Sequence, residues 1–247
     1  MLYKQRLFLI LFFFSCINLF YAQTGYEIGL LVGPAQMRSD FGLREDKDTN
    51  TGNIGFGAGI MFNINPIDWG SRRDYVYDHF KLRFDLSYNK TSLQHYGKYV
   101  DPEDNSDAAQ RLRNQTGEAK NFSGGIALEY YPLSLRNFFY QFFDFSPYLI
   151  LGGQLTFANP DSNITDADQI YAPWGLNAIN TESFYTTALN TGIGIRYKVS
   201  DYSDFLLEAK WQFFNSDWVD GLNHDLTYNK NNDSLIWVSV GYVYYLN

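Results

Sequence analysis

NIGFGAGIMFNI, residues 53–64, carries a glycine at every second position from Gly55 to Gly59. A dinucleotide-binding loop wants G-x-G-x-x-G at a strand-to-helix turn, where the glycines let backbone approach a pyrophosphate. Here the third glycine falls at Ile60, and no amphipathic helix follows. On a strand's period of two, Gly55, Gly57 and Gly59 share one face, while Ile54, Phe56, Ala58, Ile60, Phe62 and Ile64 share the other. The stretch is a strand with one greasy side and one nearly bare side, and the fold turns on what each side meets.

The same period recurs in eight segments, near residues 26–34, 53–64, 80–90, 119–131, 146–157, 185–199, 204–214 and 234–246, and no segment keeps a sustained helical period. FKLRFDLSYNK, residues 80–90, sets Phe80, Leu82, Phe84, Leu86 and Tyr88 against Lys81, Arg83, Asp85, Ser87 and Asn89. A helical turn is expected only near residues 106–113. An aromatic content of 19%, with 20 Tyr and 21 Phe, also favours strands, because flat side chains suit a pleated surface.

The chain of 247 residues shows no linker-like composition break, so one large domain is expected. The mean hydropathy of -0.30 does not exclude a membrane barrel, whose lipid-facing residues alternate with polar ones. A formal net charge of -8 argues against a phosphate-neutralising nucleic-acid binder. At the N-terminus, Lys4 and Arg6 precede an apolar run from Leu7 to Phe14, and Ala22 offers a cleavage point. Residues 1–22 therefore read as a secretory signal peptide and 23–247 as the mature domain. A lipoprotein signal using Cys16 and an uncleaved anchor are the alternatives. Cys16 is the sole cysteine, so cleavage after Ala22 leaves a mature chain without disulfides or thiolate chemistry.

Connections after the first, third, fifth and seventh segments are long and rich in Asp and Asn, as in VDPEDNSD (100–107) and NSDWVDGLNHD (215–225). One ragged rim and one tidier rim around an even strand number is the pattern of an outer-membrane barrel. The glycines settle the orientation. Gly55, Gly57, Gly59, Gly125, Gly192 and Gly194 all fall on the polar face, where a narrow lumen needs room for long charged side chains crossing from other strands. LSLRNFFYQFFDF, residues 133–145, is an aggregation hazard in water and an anchor at a membrane interface. Tyr88, Tyr130, Tyr197, Tyr242 and Tyr244 suit the same girdle. The expected fold is all-β, an eight-stranded antiparallel transmembrane β-barrel with its apolar face toward lipid and lipopolysaccharide.

The expected lumen face carries Glu27, Lys81, Arg83, Asp85, Glu129, Arg196, Lys198, Glu208 and Lys210. Eight strands enclose little more than their own side chains, so these nearly balanced charges are expected to pair and plug the interior as a structural network. No catalytic residue, cofactor site or metal site is assigned. His79, His95 and His224 lie in or beside connections, without a serine two residues on and without metal-ligand spacing. Asp161, Asn163, Thr165 and Asp166 fall short of a calcium loop, which needs glycine at its sixth position. The competing function class is a lipid-modifying enzyme or small-ligand barrel.

Five stretches, GLLVGPAQMRSDFG (29–42), DHFKLRFDLSYNK (78–90), LEYYPLSL (128–135), SPYLILGG (146–153) and GIGIRYKVSDYSDFLLEAKWQFFNSDWVDGL (192–222), resemble the PorG-like outer-membrane barrels of Bacteroidota. The resemblance spans about residues 25–246 and departs in the connections at 65–79 and 101–116. It implies a non-enzymatic outer-membrane component of type IX secretion that tethers a periplasmic secretion-ring lipoprotein. The connections at 65–79 and 133–145 exceed what chain reversal needs. They combine Arg72, Arg73 and Arg136 with aromatics expected to be exposed, Trp69, Phe138 and Tyr140, a composition typical of interface hot spots. A periplasmic protein contact is expected there.

Overall fold

The computed structural model of the protein describes residues 25–43, 46–67, 74–140, 144–164, 178–223 and 231–246. The expected signal peptide and the interface residues Trp69, Arg72 and Arg73 lie outside these described residues.

Eight strands run in chain order: β1 Gly25–Arg38, β2 Ile54–Asn65, β3 Phe80–Gln94, β4 Thr116–Tyr130, β5 Phe145–Ser162, β6 Phe184–Ser200, β7 Ser203–Phe214 and β8 Ser234–Leu246. Each pairs antiparallel with its sequence neighbour, and β8 pairs back onto β1 from Tyr26 opposite Leu246 to Arg38 opposite Ser234. The sheet is a closed barrel with no free edge. The expected order of segments is reproduced, though several strands are longer: β1 runs on to Arg38, β3 to Gln94 and β5 to Ser162.

Alternation fixes the register. Along β3, Lys81, Arg83, Asp85, Ser87 and Asn89 are buried, while Leu82, Phe84, Leu86 and Tyr88 are exposed. A slip of one residue relative to β4 would turn the charged set outward and the apolar set inward, so the pattern admits one pairing. The outer wall continues as Leu30, Ile60, Leu86, Ile126, Leu151, Ile193, Leu207 and Val240 around the barrel, every one of them exposed. In water such a band would be a liability far larger than the few hundred square ångströms of apolar patch that monomers tolerate. The barrel is inverted, greasy outside and charged within, as in transmembrane β-barrels.

The band has an upper limit. On β3, β4 and β5 the outward positions turn charged at Lys90, Glu118, Lys120 and Asp161, joined by ion pairs of 2.9, 3.0 and 3.4 Å. This ladder lies toward the rim that carries the long connections. The opposite rim holds both ends of the barrel chain and the connections 66–79, 131–144 and 201–202.

Among the described residues, four short α-helices sit in the connections: α1 Lys47–Gly52, α2 Tyr75–His79, α3 Asp107–Asn114 and α4 Leu135–Phe139. The expected turn near 106–113 is α3, started by Ser106, whose side chain accepts from the Ala109 N–H and occupies one of the free donors of the first turn. The other three were not legible, being one or two turns each.

The glycines face inward as expected, but charged side chains are not what fills their room. A methyl group on Gly57 would meet the indole Nε1 of Trp237 at 2.7 Å, one on Gly59 would meet its ring at 2.9 Å, and one on Gly194 would strike the Tyr148 ring. Two aromatic rings thus occupy the space at Gly57, Gly59 and Gly194, while Gly55 and Gly192 lie against the backbone of the neighbouring strand.

Candidate functional site

The lumen divides into levels. Toward the chain-end rim, β1, β3, β4, β6 and β7 project Glu27, Lys81, Arg83, Asp85, Glu129, Arg196, Lys198, Glu208 and Lys210 inward, each buried. Arg83 is the hub: Nε donates to Asp85 at 2.8 Å, Nη1 to Glu129 at 3.1 Å and to Glu208 at 2.5 Å, and Nη2 to the other oxygen of Glu208 at 3.2 Å. Glu27 is the second node, accepting from Lys81 Nζ at 2.6 Å and Arg196 Nη1 at 2.6 Å. Lys210 reaches Asp85 at 3.4 Å.

Five partners absent from the expected set complete this level. Asn63 donates to Glu27 and Glu129 at 3.3 and 3.2 Å, Tyr131 to Glu129 at 2.6 Å, Tyr148 to Glu208 at 2.8 Å and Tyr245 to Asp204 at 2.6 Å. Asp204 lies 3.6 Å from Arg196. It brings the level to five acids against five bases, the neutrality that a desolvated cluster requires. Alternation along β7 from Glu208 and Leu206 points straight to Asp204, so that signal was present. Tyr148 and Tyr245 occupy inward positions of strands that otherwise read as apolar, where a hydroxyl at the tip is easily passed over.

α4 closes this end. Leu135 and Phe138 are fully buried, and Phe139 packs on Tyr245 with ring centroids 5.2 Å apart. The Lys198 ammonium donates to the Phe139 carbonyl at 2.9 Å and lies 5.4 Å from the Phe138 ring and 5.3 Å from the Phe139 ring. The Lys81 ammonium lies 5.2 Å from the Phe139 ring. Cations facing ring faces in a desolvated setting add to the packing. This corrects the expectation for Phe138. Phe138 is not an exposed interface aromatic; it is fully buried, with the Lys198 ammonium over its ring. Arg136 is likewise engaged, its N–H donating to Asp78 at 2.9 Å and Nη2 to the Ile67 carbonyl at 2.8 Å, which locks α4 against α2 and the end of β2. Tyr140 is 63% exposed, as expected, and Tyr75, Val76, Leu133 and Tyr202 are exposed at the same rim.

Tyr75 shares a hydrogen bond of 2.8 Å with the Tyr130 hydroxyl, which raises its phenol above the ordinary range. At the other rim the Ser106 N–H donates to Asp104 at 2.9 Å and holds that carboxyl below the usual range.

His79 sits in α2 with Nδ1 2.6 Å from the Tyr131 carbonyl, and His95 meets Gln115 at 3.1 Å and packs on Phe41. His224 lies outside the described residues. Among the described residues no group of His, Cys, Asp or Glu is arranged to hold a metal ion.

At the far end of the lumen Phe41, Leu93, Phe214, Val219, Leu222 and Leu235 belong to one buried cluster, with the buried carboxylates of Asp40, Asp220 and Asp233 among them. Between the two closures lies a polar band, in which Gln154 Nε2 donates to Gln212 Oε1 at 2.9 Å and Gln154 Oε1 accepts from Asn190 at 2.8 Å.

No family model matches the sequence and no curated relative does. Among solved structures, the chain is similar to the Neisserial surface protein NspA at 14% identity, covering 90% of this chain and 99% of that one with a TM-score of 0.43. It is similar to the outer-membrane protein OprG of Pseudomonas aeruginosa at 14% identity, with coverage of 90% and 96% and a TM-score of 0.45. It is also similar to the outer-membrane enzyme PagL at 9% identity, with coverage of 88% and 98% and a TM-score of 0.40. At this level the likeness says nothing of activity.

Proposed function

We propose that the protein is a non-enzymatic integral barrel of a bacterial outer membrane, acting as a scaffold that docks a periplasmic partner on the rim bearing the chain ends. The inverted wall supports the membrane setting, since only a closed barrel or a helix satisfies its backbone in lipid. One observation carries the scaffold reading: the lumen is closed by the Arg83–Glu27 network and by α4, so a partner meets the rims rather than a passage. The chain-end rim is the more elaborate than chain reversal requires, with α2 and α4 interlocked through Arg136 and Asp78. Tyr75, Val76 and Tyr140 stand out from that interlocked base, a rigid platform with aromatic anchors.

The partner implied by the resemblance is a lipoprotein of a type IX secretion ring. Photocrosslinkable residues at positions 69–76 and at Tyr140 test this in cells: capture of one periplasmic lipoprotein is expected. Absence of any protein adduct, with normal secretion after shortening both connections, would overturn it. Lipid A from a deletion strain separates the enzymatic class, the expectation being unchanged acylation by mass spectrometry.

A further inference from the structure

The polar band in the middle of the lumen is only half satisfied. On the β5–β7 side, Gln154 is saturated, with Nε2 also reaching Ser123 at 3.3 Å and Thr156 at 3.1 Å. On the β2–β4 and β8 side the picture reverses. Both amide atoms of Asn89 and of Asn121, Thr91 Oγ1, Trp237 Nε1 and Ser239 Oγ are buried without a hydrogen-bond partner among the described residues, and on β6 and β7 so are Asn190 Oδ1 and Gln212 Nε2. That is nine side-chain atoms in one band, on residues at most 1% exposed.

Their placement is not scattered. Asn89 and Asn121 stand directly opposite each other on β3 and β4, and Asn89 is opposite Gly57 on β2. The Trp237 indole reaches over from β8 to the same Gly57, so its N–H and the Asn89 amide share one corner without bonding to each other. Leaving buried donors and acceptors unpaired costs about 1–3 kcal/mol each, far too much to sustain nine times in one barrel. Amide, hydroxyl and indole groups carry no formal charge. Donors and acceptors are mixed in the set, with the Lys210 ammonium 5.2 Å from the Trp237 ring, so the occupant that satisfies them is small and both donates and accepts.

We infer that the middle of the lumen is an occluded hydration site, holding a cluster of ordered water between the charged base and the cap at the far end. With about three hydrogen bonds per buried water, nine atoms accommodate on the order of three to four molecules. The missing side chain at Gly57 leaves the space that both the Asn89 amide and the Trp237 indole occupy. The cap of Phe41, Leu93, Phe214 and Leu235 and the base under α4 keep this water from either bulk phase, so the lumen is wet in its middle and closed at both ends.

The test uses the full mature chain in lipid nanodiscs, with nitrogen-15 at Trp indoles and Asn side chains, and reads magnetisation transfer from water. Cross-peaks of opposite sign in laboratory-frame and rotating-frame experiments, the mark of long-held water, are expected at the Trp237 indole and at the Asn89 and Asn121 amides. Replacing Asn89 and Asn121 together by leucine, which conserves volume, removes two of the walls and should abolish the Trp237 cross-peak. Absence of water cross-peaks in the wild-type chain, with scalar couplings showing a direct bond from the Trp237 N–H to Asn89, would overturn the inference, as would a Trp237 cross-peak unchanged in a folded double variant. If the double variant does not fold, the wild-type measurement decides alone.

Discussion

Arg83 on β3 and Glu208 on β7 face each other across the lumen, and the guanidinium grips both carboxylate oxygens, at 2.5 and 3.2 Å. The two strands are not neighbours in the sheet, so the pair ties opposite walls of the barrel together. A forked, fully buried contact of this kind is geometrically demanding, and its removal strands the remaining charges. Arg83→Ala is expected to destabilise the barrel by about 3–5 kcal/mol in urea unfolding from vesicles. It should open no steady conductance in a planar bilayer, because α4 and the cluster at the far end still close both ends.

The two inward aromatic rings make a second expectation. Gly194→Leu drives a side chain into the Tyr148 ring and should prevent the compact, heat-modifiable form from appearing on a denaturing gel. Gly153→Ala is the matched control: its added carbon meets nothing nearer than the Ala188 carbonyl at 3.9 Å and points outward, so folding should be unchanged.

That contrast also marks what the sequence made legible. Alternation in eight segments made strand number and position readable, because a period of two is local and survives without knowledge of neighbours, and the glycines on the polar face made the sidedness readable. The charged residues of the base were readable for the same reason. What fills the space beside a glycine depends on a side chain two strands away, so Trp237 over Gly57 had no local sign. Nor did the burial of Phe138, whose ring lies under the ammonium of Lys198, a residue far away in sequence.

Phe138→Ala should therefore behave as a core truncation, not a surface change. A loss of about 3–5 kcal/mol is expected in the same unfolding assay. Tyr140→Ala, two residues further along the same segment but exposed, should stay within about 0.5 kcal/mol of wild type.

On the outer wall, Ile193→Arg places a charge in the apolar band. A cost of about 2–4 kcal/mol is expected if the position lies near the bilayer midplane. Lys90→Ala, on the ladder above the band, should be nearly silent in the same assay, which locates the boundary between the two environments.

In the connection before α3, the Ser106 N–H keeps the Asp104 carboxyl below its ordinary range. A group depressed in the folded state stabilises it above the unfolded value of about 3.9 and loses that contribution as pH falls through the folded value. A carbon-13 titration should show Asp104 with a midpoint below that of an unstructured aspartate. Ser106→Pro, which deletes the N–H, should move it back up.

The central claim is that Leu86, Leu151, Ile193 and Val240 face lipid while Leu31, Met61 and Leu206 face the lumen. Methyl-labelled protein in nanodiscs tests it directly, through nuclear Overhauser contacts between lipid acyl chains and individual methyl groups, with no substitution in the chain. The account predicts strong contacts from acyl chains to Leu86, Leu151, Ile193 and Val240 and none to Leu31, Met61 or Leu206. Acyl contacts to the second set, or a water-soluble monomer whose first set sees only water, would contradict it.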